Sequence, residues 1–260
     1  MKYKIGILIP STNRNIECNN FYETYFFKIF LKSFIKTRNN EHNYIIYLVI
    51  DNNDKIYSQE KEKKTIKDFI TSHQNLDIIF ITNDEIPKGW LTKMWNKAFE
   101  KAYDDGCDYF LQCGDDIEFL DKNWVNSSIF VLKLYNNEGV TGPIDIGRKH
   151  FLHSVTNNKN IIEKHTILTQ SFVSRNHMES FGFYFPEEIK NWFCDNWITN
   201  IYKKQNKCYK ISSRIINRGG KPRYIPEGIG KDIPRIQKLC NDLVKKYTRK
   251  ISTKFDLYLY

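Results

Sequence analysis

Asp115 and Asp116 stand side by side after Gly114, at the end of the run YFLQC over residues 109–113. Such a run suits a buried strand, and paired carboxylates at its end are costly to bury unless a cation meets them. Mg²⁺ or Mn²⁺ would do so, because hard cations take oxygen ligands and commonly bridge to substrate phosphates. The same letters also suit a plain turn, for Asp after Gly is an ordinary turn signal. A second chemical cluster is RIINRGGKPR over residues 214–223. There two glycines let backbone amides approach an anion while Arg218, Lys221 and Arg223 neutralise it, unless the segment is simply an exposed basic turn.

The elements that must position these residues follow from hydrophobic spacing. Ile5 to Pro10 is a continuous apolar run closed by Ser11, Thr12 and Asn13, which suits a buried parallel strand feeding a loop. Phe21, Tyr25, Ile29, Phe30 and Phe34 recur at helical spacing over residues 20–35. Tyr44 to Ile50 and Ile78 to Ile81 read as further strands, residues 58–72 and 91–103 as amphipathic helices, and residues 109–113 as the fourth strand. Alternating strands and helices imply an α/β fold with a mostly parallel, doubly wound sheet. Ligands of such sheets sit at the carboxyl ends of the strands, so the loops bearing Thr12 and Arg14, Asp51, and Asp115 and Asp116 converge on one edge. No G-x-G-x-x-G and no P-loop is present, so neither a Rossmann dinucleotide site nor a Walker-type ATPase has support.

Composition sets wider bounds. The 260 residues carry 40 Lys and Arg against 30 Asp and Glu, a net charge of +10 that favours anionic partners. With 41% hydrophobic and 15% aromatic residues the chain is globular. Its six cysteines make no CxxC pair and no zinc spacing, and read as reduced thiols. MKYKIGILIP reads as a first strand and not a signal peptide, and no stretch approaches a membrane span, so a cytoplasmic protein is expected.

In this order, ILIPSTNRN, VIDNND, GWLTKMWNKAFEKA, GDD and FGFYFPEEIKNWFCDNWITNIYKK resemble the segments of a GT-A fold glycosyltransferase, nearest to family 2. The resemblance covers most of residues 4–205. It implies a nucleotide-binding part over about 1–120 and an acceptor part over about 121–225; beyond them, apolar spacing reads as a basic amphipathic helical tail over 226–260. It further implies that Thr12 and Arg14 line the nucleotide pocket, Asp51 recognises the base and Lys93 approaches the nucleotide. Asp115 would contact the ribose or the metal, and Asp116 would ligate the Mn²⁺ or Mg²⁺ that bridges the diphosphate. Arg218 and Arg223 would belong to a lid over that diphosphate. Asp195 resembles the general base of inverting members, and its neighbours Trp192, Phe193 and Trp197 suit an apolar wall that raises its basicity. Cys194 stands where an acidic residue is usual, and Gly114 where the DxD metal motif has its first carboxylate.

The activity implied is transfer of a sugar from a nucleotide-diphosphate sugar, UDP-linked by preference, to an acceptor hydroxyl of a glycan, protein or small molecule. A sugar-phosphate nucleotidyltransferase would share the scaffold but carry a Gly-rich basic loop directly after the first strand, where this chain has PSTNRNIE. A non-catalytic nucleic-acid-binding protein would cluster its positive charge with exposed aromatics, whereas these lysines are dispersed. The aromatics around Gly182 suit either sugar stacking or the core, and His177 suits a metal ligand or, by preference, a surface residue at a helix start. The face of Ile236, Leu239, Cys240, Leu243 and Tyr247 offers a possible peripheral membrane contact.

Overall fold

The computed structural model describes residues 1–148, 166–219, 223–227 and 230–255, the side chains of 249–255 excepted. β1 (Lys4–Ser11) is buried at every position after Lys4, as a strand covered on both faces must be. It pairs in parallel with β2 (Asn43–Asp51) and with β4 (Tyr109–Gln112), and β3 (Leu76–Asn83) extends β2 in the same sense. Their carboxyl ends therefore share one edge. α3 (Leu91–Asp104) lies over this sheet through Met94, Trp95, Ala98, Phe99 and Ala102. Its close approach depends on Gly6, where a Cβ would stand 3.0 Å from the Cβ of Ala102. On the flank, α2 (Glu60–Thr71) buries Ile66 and Ile70.

The segment expected as one helix over residues 20–35 is composite. A 3₁₀ turn (Phe21–Glu23) leads to a π-helical stretch (Phe26–Leu31) and then to α1 (Lys32–Thr37). The wider π turn buries Phe26, Phe27, Phe30 and Leu31 together. Phe30 stacks on both Phe26 and Phe34, with ring centroids 5.7 and 5.2 Å apart.

The second half adds β5 (Ile117–Phe119), α4 (Trp124–Leu134), β6 (Val140–Asp145), β7 (Ser171–Ser174), α5 (Asn176–Phe181), α6 (Cys194–Lys203), β8 (Cys208–Asn217) and α7 (Ile233–Phe255). Among the described residues the eight strands form one mixed, mostly parallel sheet in the order β3-β2-β1-β4-β7-β6-β8-β5. The direction reverses where β7 pairs antiparallel with β4. Apolar cores fill both faces of the sheet.

Two expectations are corrected here. Pro186 stands in sequence where proline favours a helix start, but the helix begins only at Cys194, because Phe193 takes a left-handed conformation (φ 75°) and the Asn191 side chain accepts the Trp192 N–H in the turn ahead of it. His177 is buried, not superficial. Its Nδ1 lies 2.7 Å from the Tyr202 hydroxyl and its Nε2 3.0 Å from the Tyr184 carbonyl. The aromatics around Gly182 divide similarly: Phe181, Tyr184 and Phe185 are core. On α7, Ile236, Cys240, Leu243 and Tyr247 pack onto the protein, and the Tyr247 ring meets Phe181, Phe183 and Trp197. Among the described residues no helix is long and apolar enough to cross a membrane.

Candidate active site

A cleft of about 540 Å³ opens where the carboxyl ends of β1, β2 and β4 meet the turn before α6. The loop after β1 is fixed by the buried Asp54, which accepts the backbone N–H (2.6 Å) and side-chain amide (3.0 Å) of Asn13 and the backbone N–H groups of Ile56 and Tyr57, both at 3.0 Å. Thr12 and Arg14 thereby line the cleft. Arg14 Nη2 reaches Asp51 Oδ2 at 2.5 Å, so these two residues form a partly buried donor–acceptor pair at one end.

Asp115 is 2% exposed and fully engaged. Its Oδ2 accepts from Ser11 Oγ at 2.5 Å and from Arg223 Nη1 at 2.7 Å, while Arg223 Nη2 bonds Oδ1. Arg223 Nη1 also donates to the Thr12 carbonyl at 2.7 Å, and the guanidinium lies over the Tyr25 ring, 5.3 Å from its centroid. Burial works against the charge of Arg223, but Asp115 and then Asp116 outweigh it and hold its pKa above the ordinary value.

Asp116 is more loosely held. Its Oδ1 is 3.4 Å from Asn217 Nδ2, and its Oδ2 is 3.9 Å from Arg223 Nη2. Burial first, then the charge of Asp115, push its pKa up to about 6. Two carboxylates meet one guanidinium here, and the unbalanced charge falls on Asp116. Asp116 therefore has oxygens to spare for a cation, whereas both oxygens of Asp115 are already committed. Among the described residues no group of three or more His, Cys, Asp or Glu side chains gathers around a possible metal position.

Across the cleft, Asp195 lies in the first turn of α6 and lines the cavity with Trp192 and Phe193, while Trp197 is core. Its Oδ1 accepts the Asn196 backbone N–H at 2.9 Å. Burial raises its pKa, and the charge of Arg148 opposes that rise. The segment 223–227 joins the two halves. Arg223 sits on the Asp115 side, while the Ile225 carbonyl and the Glu227 N–H bond the Asn191 side chain at 3.3 and 2.8 Å.

Two residues expected at the nucleotide stand elsewhere. Lys93 pairs with Glu187 at 3.4 Å, lies over the Trp90 ring, and lines a separate cavity on the outer side of α3. The helix phase that buries Met94 and Trp95 turns it away. Arg218 is half-exposed, with Nε 2.7 Å from Glu118 Oε2, because it follows β8 directly and pairs across to β5. Lys221 lies outside the described residues. Arg214 is part of β8 and binds Asp121 through both Nε and Nη2.

Ser11, Asp145, Arg148 and Tyr224 also line the cleft, and sequence reasoning missed them. Ser11 was visible as the polar end of the first apolar run. Asp145 and Arg148 were hidden because Gly142 and Pro143 disguise β6 as a loop.

No protein-family model matches the chain, and no curated protein matches it. Solved structures do. GalNAc-T7 with UDP, GalNAc and Mn²⁺ superposes with a TM-score of 0.62 at 14% identity, over 95% of this chain and 50% of that one. S. aureus TarS 1-349 in complex with UDP-GlcNAc gives 0.59 at 16% identity, over 91% and 65%. The mannosyltransferase PcManGT from Pyrobaculum calidifontis in complex with GDP-Man and Mn²⁺ gives 0.54 at 10% identity, over 86% and 59%. The chain spans between half and two thirds of the length of these three structures. At such identities the likeness establishes architecture: the chain has the fold of the GT-A glycosyltransferases.

Proposed function

We propose that the protein is a glycosyltransferase that moves a sugar from a nucleoside-diphosphate donor, UDP-linked in the first instance, to an acceptor hydroxyl with inversion. The observation that carries this reading is the polarity of a single cleft. The Arg14–Asp51 pair and the Asp115–Asp116–Arg223 cluster occupy one side, and the carboxylate of Asp195 occupies the other.

Arg14 and Asp51 present a donor and an acceptor to a nucleobase. Asp116 is the residue that would hold a divalent ion, Mn²⁺ or Mg²⁺, with Asp115 in support. Such an ion supplies Lewis-acid stabilisation to the departing diphosphate. Arg223, paired with Asp115 and near Asp116, offsets carboxylate charge on the same wall, and the loop after β1 orients the donor. Asp195 accepts the proton of the acceptor hydroxyl as its oxygen bonds the anomeric carbon. The bond from that carbon to the diphosphate breaks on the opposite face, which inverts the centre. The raised pKa of Asp195 suits a base, because burial makes its ionised form more avid for a proton.

The solved structures of this fold with UDP, UDP-GlcNAc and GDP-Man support the donor class, and two of the three structures above were solved with Mn²⁺. A panel of UDP- and GDP-sugars assayed for donor hydrolysis with and without Mn²⁺ tests the reading. Turnover of at least one donor, lost in Asp116→Ala, is expected. No hydrolysis across the panel, or unchanged turnover in Asp116→Ala, counts against it.

A further inference from the structure

Three arginines line the cleft, and the transfer reaction leaves one of them without a task. Arg14 is neutralised by Asp51 and Arg223 by Asp115. Arg148 is placed differently. Asp145, at the end of β6, accepts the backbone N–H groups of Gly147 (3.0 Å) and Arg148 (3.3 Å) on Oδ1 and the Thr169 hydroxyl (3.1 Å) on Oδ2. The turn is therefore pinned, and Arg148 enters the acceptor half from a fixed base. Its Nε is buried without a hydrogen-bond partner among the described residues. It also stands near enough to Asp195 for its charge to act on that carboxyl.

We infer that Arg148 forms an acceptor-side subsite for an anionic group, a carboxylate or a phosphate, carried close to the hydroxyl that receives the sugar. The inference rests on the glycosyl-transfer reading of the cleft. A planar guanidinium matches both anions through paired N–H donors. The need is greatest at the moment of transfer. Asp195 becomes neutral when it takes the hydroxyl proton, and Asp145 keeps its own oxygens on Thr169 and the turn amides. Arg148 then stands at the cleft wall with its buried Nε unpartnered and its nearest carboxylate discharged, which is costly unless the acceptor supplies the charge. The excess of ten positive charges over the chain favours acidic acceptors in the same sense.

Isothermal titration of the full chain, saturated with UDP and Mn²⁺, tests the subsite with methyl glucuronide, glucose 6-phosphate and neutral methyl glucoside as probes. At least one anionic probe should bind roughly tenfold or more tightly than the glucoside. Arg148→Gln should bring that ratio close to one, and Arg148→Lys should keep most of it. Preference for the glucuronide or for the phosphate identifies the anion. A wild-type chain that takes neither anionic probe more tightly than the glucoside, or an Arg148→Gln ratio equal to wild type, overturns the inference. UDP is titrated alone in the same series and the probes are repeated without it. A failure of the donor reading therefore shows separately from a failure of the subsite.

Discussion

Arg223 grips Asp115 with both terminal nitrogens, Nη1 standing 2.7 Å from Oδ2, and so ties the segment after β8 to the end of β4. The two residues are 108 positions apart in sequence. Removing the arginine leaves Asp115 buried beside Asp116 without its counter-charge. Arg223→Ala should therefore cost about 3–5 kcal/mol of stability in urea unfolding, with Asp115→Asn in the same background recovering part of it. A loss under about 1 kcal/mol would show that water replaces the guanidinium freely.

Gly219 carries a narrower prediction. A Cβ at this position would stand 2.0 Å from Asp116 Oδ2, so Gly219→Ala must push the carboxylate aside. Because the added methyl would also stand 2.8 Å from the Asp116 Cβ, turning the carboxylate is not enough, the local backbone must shift as well, and stability should fall by about 1–3 kcal/mol. Mn²⁺-dependent UDP binding should weaken roughly tenfold or more, since a ligand carboxylate displaced by an ångström no longer meets the ion. Equal metal affinity in the variant, measured by titration, would place the ion elsewhere.

The strand-end side of the cleft was largely legible in the sequence, because β1, β2 and β4 are buried parallel strands whose apolar runs end in polar loops on one edge. Thr12, Arg14, Asp51, Asp115 and Asp116 all line the cleft for that reason. Lys93 was misplaced because a family position fixes a residue along a helix but not the phase set by Met94 and Trp95. Arg218 was misplaced because β8 runs through Asn217 and leaves that side chain beside Glu118. The late start of α6 follows from contacts of Asn191 with Gly89 and Ile225, 102 and 34 residues away, which no local pattern reveals. Arg223 was legible as a charge beside glycines, but its partner Asp115 was not, for the pairing is set by topology alone.

Asp195 predicts a pH profile. Burial raises its pKa, and the base must be ionised, so transfer should be full above the raised pKa and fall as the pH drops through it. The acid limb therefore lies above the ordinary carboxylate range of about 4. Arg148→Gln removes the opposing charge and should move that limb further up. Asp195→Asn should lower transfer roughly 10²- to 10⁴-fold while UDP binding persists. An acid limb unmoved by Arg148→Gln, or near-normal transfer in Asp195→Asn, would assign the base to another group.

His177 makes a separate acid-stability prediction. Burial lowers its pKa to about 4, against 6.5 for the free side chain, with the carbonyls of Tyr184 and Phe183 opposing. Between those values the unfolded chain binds a proton that the folded chain does not. The contribution is thus fully present above pH 6.5 and lost as the pH falls towards 4, by roughly 3 kcal/mol in all. An NMR titration should find the His177 ring neutral down to about pH 4, and protonation near 6.5 would contradict its burial.

In the proposed reaction the Asp116 and Arg223 side of the cleft receives the diphosphate of a nucleotide donor. Thermal unfolding with UDP, UMP or duplex DNA, each with and without Mn²⁺, measures this most directly. Mn²⁺-dependent protection by UDP should exceed protection by UMP and be lost in Asp116→Ala. Protection by DNA alone, or protection by UDP that neither Mn²⁺ nor the Asp116→Ala substitution alters, would contradict it.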